Sequence, residues 1–460
     1  MTSTPAPGLG RAPFDARGVL QRLAAVARHD TNIVVAFIIL TNLLRTGSSM
    51  VLTRLLVPEV FGIAALIGSI QFTINMISDL GFEPFVVRHP DGDKRRFLDS
   101  IWTVALIRSI AIAVVLVALA TPLAHLFDKP DLAAMIAVSS LSFVIDGLAS
   151  MTLLTALRQR QILRLSSIEF AVMVVQIVVT AILAYFWRSY WAIQVGLLVG
   201  CALKTVLSYT MFAQSARKLA FDRGYAGDLW AFARFITGSS IISLLLVQTD
   251  KLVLARLMSL DTFGLYILAC NLAGAPLAFA SAYASRVLYP TYSQLWRDGA
   301  GNLREQAYAK RWLPSLLYTF AAGGLIGSAP LVIAVLYDPR YANAALYLQV
   351  LGIGTLFALA GTSSNATLTA IGRIKATLEA NIVKLIWMTL AAPAGYALYG
   401  EIGLVAAVGM MEIPAVLFRW WQMHRAALLD LRQELLFLAA GAAGLAMGTA
   451  GDVLIRPFVP

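Results

Sequence analysis

Twelve stretches of this chain are apolar for some twenty residues or more. They lie at 33–56, 60–83, 99–123, 132–157, 165–187, 190–214, 230–255, 263–289, 312–336, 343–370, 376–399 and 401–421. A helix needs about 20 such residues to cross the hydrocarbon core of a bilayer. Lipid offers no partner to an unpaired peptide group, so each stretch must satisfy its own backbone as a helix. A further stretch, 435–455 (LLFLAAGAAGLAMGTAGDVLI), is rich in Ala and Gly and carries Asp452, which leaves a spanning and an interfacial placement open. The sequence thus predicts an all-α polytopic membrane protein of 12 transmembrane helices, with a 13th or 14th left open. Composition agrees: 13% of residues are charged, against about 25% in soluble domains.

The net charge of +11 does not point to nucleic acid, because the cations gather in short loops between apolar stretches. Loops with Arg88, Lys94, Arg95 and Arg96, then Arg158, Arg160 and Arg164, then Arg217, Lys218 and Arg223 alternate with loops holding single cations such as Lys129 and Arg188. Arg297, Arg304, Lys310 and Arg311, then Arg373 and Lys375, then Arg419, Arg425 and Arg432 continue the series. Positive charge stays on the cytoplasmic side, so the N-terminus is expected there. Residues 1–31 carry Arg11, Arg17, Arg22 and Arg28 without an apolar core and read as a cytoplasmic tail rather than a signal peptide. Cys201 and Cys270 both fall in apolar stretches and suggest neither a disulfide framework nor a metal site.

The stretch VLTRLLVPEVFGI at 51–63 returns as VLARLMSLDTFGL at 253–265, at a constant offset of 202 residues. Leu52, Arg54, Leu55, Phe61 and Gly62 recur as Leu254, Arg256, Leu257, Phe263 and Gly264, and Glu59 recurs as Asp261. An echo at half-length marks an internal duplication. Each half then holds six spans and returns to its starting side. The two six-helix bundles are expected to be related by a pseudo-two-fold along the membrane normal, with the substrate site between them near the midplane. The expected boundaries are a tail at 1–31, bundles at 32–215 and 230–424, a linker at 216–229 and an extra membrane segment at 425–460.

The pattern LxRLLxPExFG at the start of the second span is followed by SDLGFE at Ser78–Glu83. Together with QTDKLVLARLMSLDTFGLYILA at Gln248–Ala269, it resembles the polysaccharide transporter branch of the multidrug/oligosaccharidyl-lipid/polysaccharide superfamily, the Wzx-like flippases. The resemblance spans residues 30–425 and marks the superfamily better than the sugar. It implies a V-shaped pair of bundles, alternating access, and an undecaprenyl-pyrophosphate-linked oligosaccharide as cargo in a bacterial inner membrane. It also implies a place beside the polysaccharide polymerase and chain-length machinery, in O-antigen or exopolysaccharide export.

Ionisable groups within spans are costly and mark a pathway or a partner. Arg45 stands near the middle of the first span with Thr41, Ser48 and Ser49 at helical spacing. A guanidinium there can clasp a pyrophosphate bidentately; a structural pair with Asp146 or Asp250 is the alternative. Lys204 and Lys384 are similarly deep, with pairing to a neighbouring acid as their alternative, and Lys251 and Arg286 lie nearer span ends. These five cations are the candidate substrate contacts. Asp146, Asp250 and Glu412 are the candidates for coupling to H+ or Na+, with charge compensation as the competing role. Arg108 has largely apolar neighbours and is a weaker candidate. Pro276, Pro393 and Pro414 interrupt spans and serve either as hinges or as static bends. No cofactor is expected.

No Walker A sequence, zinc motif, dinucleotide loop or nucleophile elbow appears, and no loop is long enough for a catalytic domain. The expected activity is therefore transport, not catalysis. A multidrug or cell-wall-precursor exporter, a membrane enzyme of polysaccharide assembly and a non-transporting scaffold are the alternatives. A drug exporter would favour an acidic or aromatic cavity.

Overall fold

The structure is a computed structural model that describes residues 30–159, 161–212, 215–297, 303–373 and 375–458 of the chain. Side chains are described throughout these except at 30–39, 42, 235–236, 238–243, 245–247 and 286. Every element among the described residues is helical. The first half comprises α1 (Asp30–Leu55), α2 (Pro58–Ile77), α3 (Phe82–Arg88), α4 (Arg95–Leu126), α5 (Leu132–Ser139), α6 (Leu141–Gly147), α7 (Thr152–Arg158), α8 (Ile162–Trp187) and α9 (Tyr190–Thr210). The second comprises α10 (Arg223–Leu257), α11 (Leu260–Tyr283), a π turn (Ala284–Leu288), α12 (Tyr289–Arg297), α13 (Leu303–Gly327), α14 (Ala329–Leu336), α15 (Ala344–Ala370), α16 (Lys375–Met410) and α17 (Glu412–Arg425). α18 (Leu431–Ile455) follows. The tail expected at 1–31 lies, but for its last two residues, outside the described residues.

The apolar stretches become helices, with four departures. The second span ends at Ile77 rather than at 83, because Ser78 closes α2 and Gly81, at φ 67°, starts the separate α3. The fourth span breaks into α5, α6 and α7, with a bend of 57°, and the ninth into α13 and α14, bent by 72°. The fourth span bends between Gly147 and Thr152, where Ser150 N donates to Ser208 Oγ at 2.8 Å instead of to a carbonyl of its own helix; at the ninth, Ser328 returns its hydroxyl to Gly324 O, a habit that bends helices. The boundary expected at residue 400 is present: Gly400, at φ 60°, breaks α16 into two helical arms there. The seventh span starts early, at Arg223, so the second half of the expected linker is already helix.

The duplication is visible in the backbone. α1 ends at Leu55 and α2 begins at Pro58; α10 ends at Leu257 and α11 begins at Leu260, each boundary 202 residues on. The two copies meet. A Cβ on Gly62 would overlap Leu260 O, and a Cβ on Gly264 would overlap Pro58 O. Pro58 and Leu260 occupy the same place in the repeat, so the contact is reciprocal, as a two-fold axis demands. Around it each half caps the other's helix end. Lys129 Nζ donates to Ala255 O at 2.8 Å and to Met258 O at 3.4 Å. Tyr341 Oη donates to Leu56 O at 3.0 Å, and Leu56 is the repeat partner of Met258. Phe61, Val60, Phe263 and Tyr266 join one apolar core that crosses between the halves.

This clasp occupies the end of the bundle with few cations. At the basic end the halves share less: the start of α10 packs Leu229 and Phe232 among Phe85, Phe97 and Trp102, and Thr237 donates to Asp79 O at 2.6 Å. Lys94 and Tyr225 both hydrogen-bond Asp91 and hold its carboxyl below the usual carboxylate range.

The segment expected as an ambiguous thirteenth helix is the 25-residue α18, long and apolar enough to span. It runs parallel to α13. Cβ atoms on Gly323, Gly327, Gly444 and Gly448 would overlap the facing backbone, so the helices touch through their main chains. At the basic end Glu434, fully buried, pairs with Arg311 and accepts from Tyr308 Oη at 2.7 Å.

Candidate functional site

A cavity of about 410 Å³ opens among α11, the π turn, α15, α16 and α17 in the second half. Its walls combine Ser281, Thr362 and Asn365 with the charged trio Lys384, Glu412 and Arg419. Two helix irregularities shape it. The π turn at Ala284–Leu288 widens α11 below Pro276, and such turns recur at functional sites. A break after Met410 sets Glu412 in the first turn of α17, with Pro414 two residues on. Pro414 is thus a helix-start residue, where its missing N–H costs nothing. Gly361 brings α15 close enough that a Cβ there would press on the Arg419 guanidinium, 2.6 Å from Nη1.

The charges are unequal. Lys384 Nζ pairs with Glu412 Oε1, and Arg419 Nη1 lies 3.8 Å from Glu412 Oε2. One carboxylate therefore faces two cations. Arg419 is 7% exposed, and its Nε has no hydrogen-bond partner among the described residues. A buried guanidinium donor left unmade is expensive. A diphosphate entering here would meet that donor and the surplus positive charge together.

The other expected residues divide into three groups. Lys204 on α9 stands 3.8 Å from Asp146 on α6, both half-exposed, so the first half holds an acid–base pair of its own. Cys201 lies one turn earlier and its Sγ reaches Asp146 at 3.8 Å. Asp250 and Lys251 on α10 turn to different partners: Tyr266 Oη donates to Asp250 at 2.8 Å, and Lys251 donates to Gln248 at 3.0 Å. Arg45 is exposed on α1, and its guanidinium has no partner among the described residues, so neither Asp146 nor Asp250 neutralises it. Arg286 falls in the π turn on the cavity wall, with its side chain outside the described residues. The structure thus joins Lys384 to Glu412 and Lys204 to Asp146, as the pairing alternative foresaw, and gathers the five cations into no single cluster.

Arg108 is explained. It donates to Ser78 O at 2.6 Å and to Asn75 O at 3.0 Å, capping the C-terminal carbonyls of α2. Arg419 was missed, because it reads as one of the basic-loop cations. Its signal was spacing: seven residues beyond Glu412, it falls on the same face of one helix.

The family described as "Polysaccharide biosynthesis protein" matches residues 51–346. Among curated relatives, the lipopolysaccharide biosynthesis protein WzxC of Escherichia coli K12 is 23% identical over 384 residues, covering 82% of this chain and 77% of its own. The amylovoran biosynthesis protein AmsL of Erwinia amylovora is 24% identical over 307 residues, covering 66% and 78%. Among solved structures, the lipid II flippase MurJ in an inward closed conformation superposes with a TM-score of 0.69 over 93% of this chain and 99% of that one. At 13% identity, that similarity concerns the fold.

Proposed function

Because the chain belongs to the polysaccharide biosynthesis protein family, we propose that it is a flippase for a polyprenyl-pyrophosphate-linked oligosaccharide. The headgroup enters from the basic, cytoplasmic end, where the halves share less, while the polyprenyl tail stays in lipid. The observation that carries this reading is the buried, unmade donor of Arg419 beside Lys384 in a cavity of about 410 Å³. That volume suits a diphosphate with its first sugar, since pockets for drug-sized ligands run from about 300 to 1,000 Å³. Arg419 offers the bidentate fork, Lys384 a point charge, and Ser281, Thr362 and Asn365 hydroxyl and amide partners for the sugar.

In this reading Glu412 holds the two cations until the diphosphate takes its place. Freed of them, its carboxylate is the place where a coupling cation, H+ or Na+, is taken up. Arg45 and Lys204 make further contacts as the headgroup moves toward the first half, Lys251 and Arg286 receive it near the span ends, and Asp146 and Asp250 are secondary cation sites. No cofactor takes part. The clasp at the opposite end then opens, the headgroup leaves on the outer face, and the polymerase receives it there. The surplus of cations in the cavity disfavours an organic cation as cargo.

Inverted membrane vesicles loaded with a fluorescent lipid-linked oligosaccharide provide the test. Lys384→Ala and Arg419→Ala are expected to lower the flipping rate at least about tenfold at equal protein level, each removing a charge-assisted contact of about 1.5–3 kcal/mol. Flipping at the parental rate in both variants would refute the assignment.

A further inference from the structure

A second cavity, of about 310 Å³, lies at the basic end of the first half, far from the cavity containing Arg419 in sequence and built from other helices. Three guanidiniums line it: Arg95 from the first turn of α4, Arg164 from the first turn of α8, and Arg217 from the linker. The Arg217 side chain is only 3% exposed; it lies 3.5 Å from Asp99 and donates to Ser150 Oγ at 3.3 Å. Arg164 donates to Met211 O and lies over the Phe212 ring, 4.6 Å from its centroid. Asp93, the acid among the lining residues, is already engaged by Arg158 Nε at 2.9 Å. Counting Arg158 and Asp99, four cations face two carboxylates.

The backbone adds to this excess. α4 and α8 both start without a side-chain cap and without an acid in the first turn. Residues of both first turns, Arg95 and Leu98 of α4 and Arg164 of α8, line the same hollow, so the positive ends of two helix dipoles lie near it. The geometry points to a phosphate-binding site here, one that ties the inter-bundle linker to the first half. The linker is otherwise held by hydrogen bonds and one exposed ion pair: Ala220 N donates to Thr103 at 3.0 Å, Asp222 N to Ser100 at 3.0 Å, Ser150 Oγ to Ser215 O at 2.7 Å, and Arg96 pairs with Asp222 at 2.9 Å. A phosphate shared by Arg217, Arg95 and Arg164 adds a charged strap across the segment that joins the bundles, and so biases how far they move apart.

The surroundings favour the phosphate of an anionic phospholipid over a soluble diphosphate. Leu219, Phe221 and Trp230 stand 72%, 62% and 71% exposed on and just past the linker, interleaved with Lys218 and Arg223. Apolar side chains alternating with cations at the end of a membrane bundle sit at headgroup level.

The test uses the full-length protein in mixed detergent–lipid micelles, with bound lipid read by native mass spectrometry and unfolding followed by heating. Phosphatidylglycerol, phosphatidylcholine and inorganic pyrophosphate are titrated separately. Phosphatidylglycerol is expected to bind in preference to phosphatidylcholine, and Arg164→Gln or Arg217→Gln to weaken it about tenfold, the loss of one charge-assisted contact. Arg164 is exposed, so its variant keeps the test meaningful if the Arg217 variant fails to fold. Protection of the parent protein by pyrophosphate, lost in the variants and without a phosphatidylglycerol preference, keeps the site and moves its ligand to a soluble source. Equal anion binding by parent and variants, or none by either, overturns the proposal. Flipping is not read, so the result stands apart from the transport assignment.

Discussion

The reciprocal contact of Gly62 with Leu260 and of Gly264 with Pro58 makes a quantitative prediction about alternating access. A methyl group on either glycine falls inside the van der Waals distance of the opposing carbonyl oxygen. The neighbour is backbone, which cannot swing aside as a side chain would. Gly62→Ala must therefore force α2 and α11 apart or strain both, at a cost of about 1–3 kcal/mol. The cost falls on the state in which this end is closed; where the ends separate, the methyl group meets nothing. A shift of about 5- to 150-fold toward the open end follows. The two-fold relation requires Gly264→Ala to do the same. The double variant should cost less than the sum of the two, because one displacement makes room for both methyl groups. Gly68→Ala, where nothing lies within 4 Å, is the control. Spin labels at Glu59 and Asp261, exposed repeat partners, report the opening as a distance distribution after Cys201 and Cys270 are replaced. An unchanged distribution in Gly62→Ala, or opposite shifts for the two glycines, would refute the reasoning.

Two further outcomes follow. Glu434→Ala leaves Arg311 charged and buried, and should lower stability by about 3–5 kcal/mol, whereas Glu434→Leu with Arg311→Met should restore most of it; thermal unfolding in micelles measures both. Asp91 is held below its ordinary value of 3.8, so its hold on the start of α10 is complete above that pH and fades as pH falls through the lower, folded value. The protection of residues 225–232 against hydrogen exchange, relative to the intrinsic rate at each pH, should fall on acidification in the parent, and be low and pH-insensitive in Asp91→Asn.

Much of this was legible from apolar length and the half-length echo. The echo even located both helix breaks, because Leu55–Pro58 and Leu257–Leu260 follow the repeat residue for residue. It did not reveal that the copies touch, since repetition states equivalence and contact is set by the axis. The bends in the fourth and ninth spans escaped because hydropathy is blind to them. Ser150 and Ser328 sit in apolar stretches, and their hydrogen bonds, to Ser208 and to Gly324 O, are what a hydropathy profile does not register. Lys204 and Lys384 were found as deep charges, but their pairing depends on which helices adjoin, and one sequence does not carry that. Arg419 was hidden by its neighbours: among Arg425 and Arg432 it resembles a topology signal, although its side chain is buried.

The energetics of the joints indicate which of them moves. The clasp between the halves consists of glycine contacts, a shared apolar core, hydrogen bonds to carbonyls from Lys129 and Tyr341, and the exposed ion pair of Arg256 with Asp128, and among the described residues it buries no charge pair. The neutral Tyr341 bond contributes about 0.5–1.5 kcal/mol net and a charge-assisted Lys129 bond about 1.5–3 kcal/mol, and water can replace each when the end opens. The joint between α13 and α18 is of another kind. Glu434 is 0% exposed and Arg311 2%, with Tyr308 and Phe437 rings against the guanidinium. Parting them would strand two charges out of water, a penalty of several kcal/mol per ion that no solvent offsets within the bundle. α18 must therefore travel with α13 as one rigid piece, whichever way the halves rock. The interface free to open and close is the one that joins the repeats at Gly62 and Gly264.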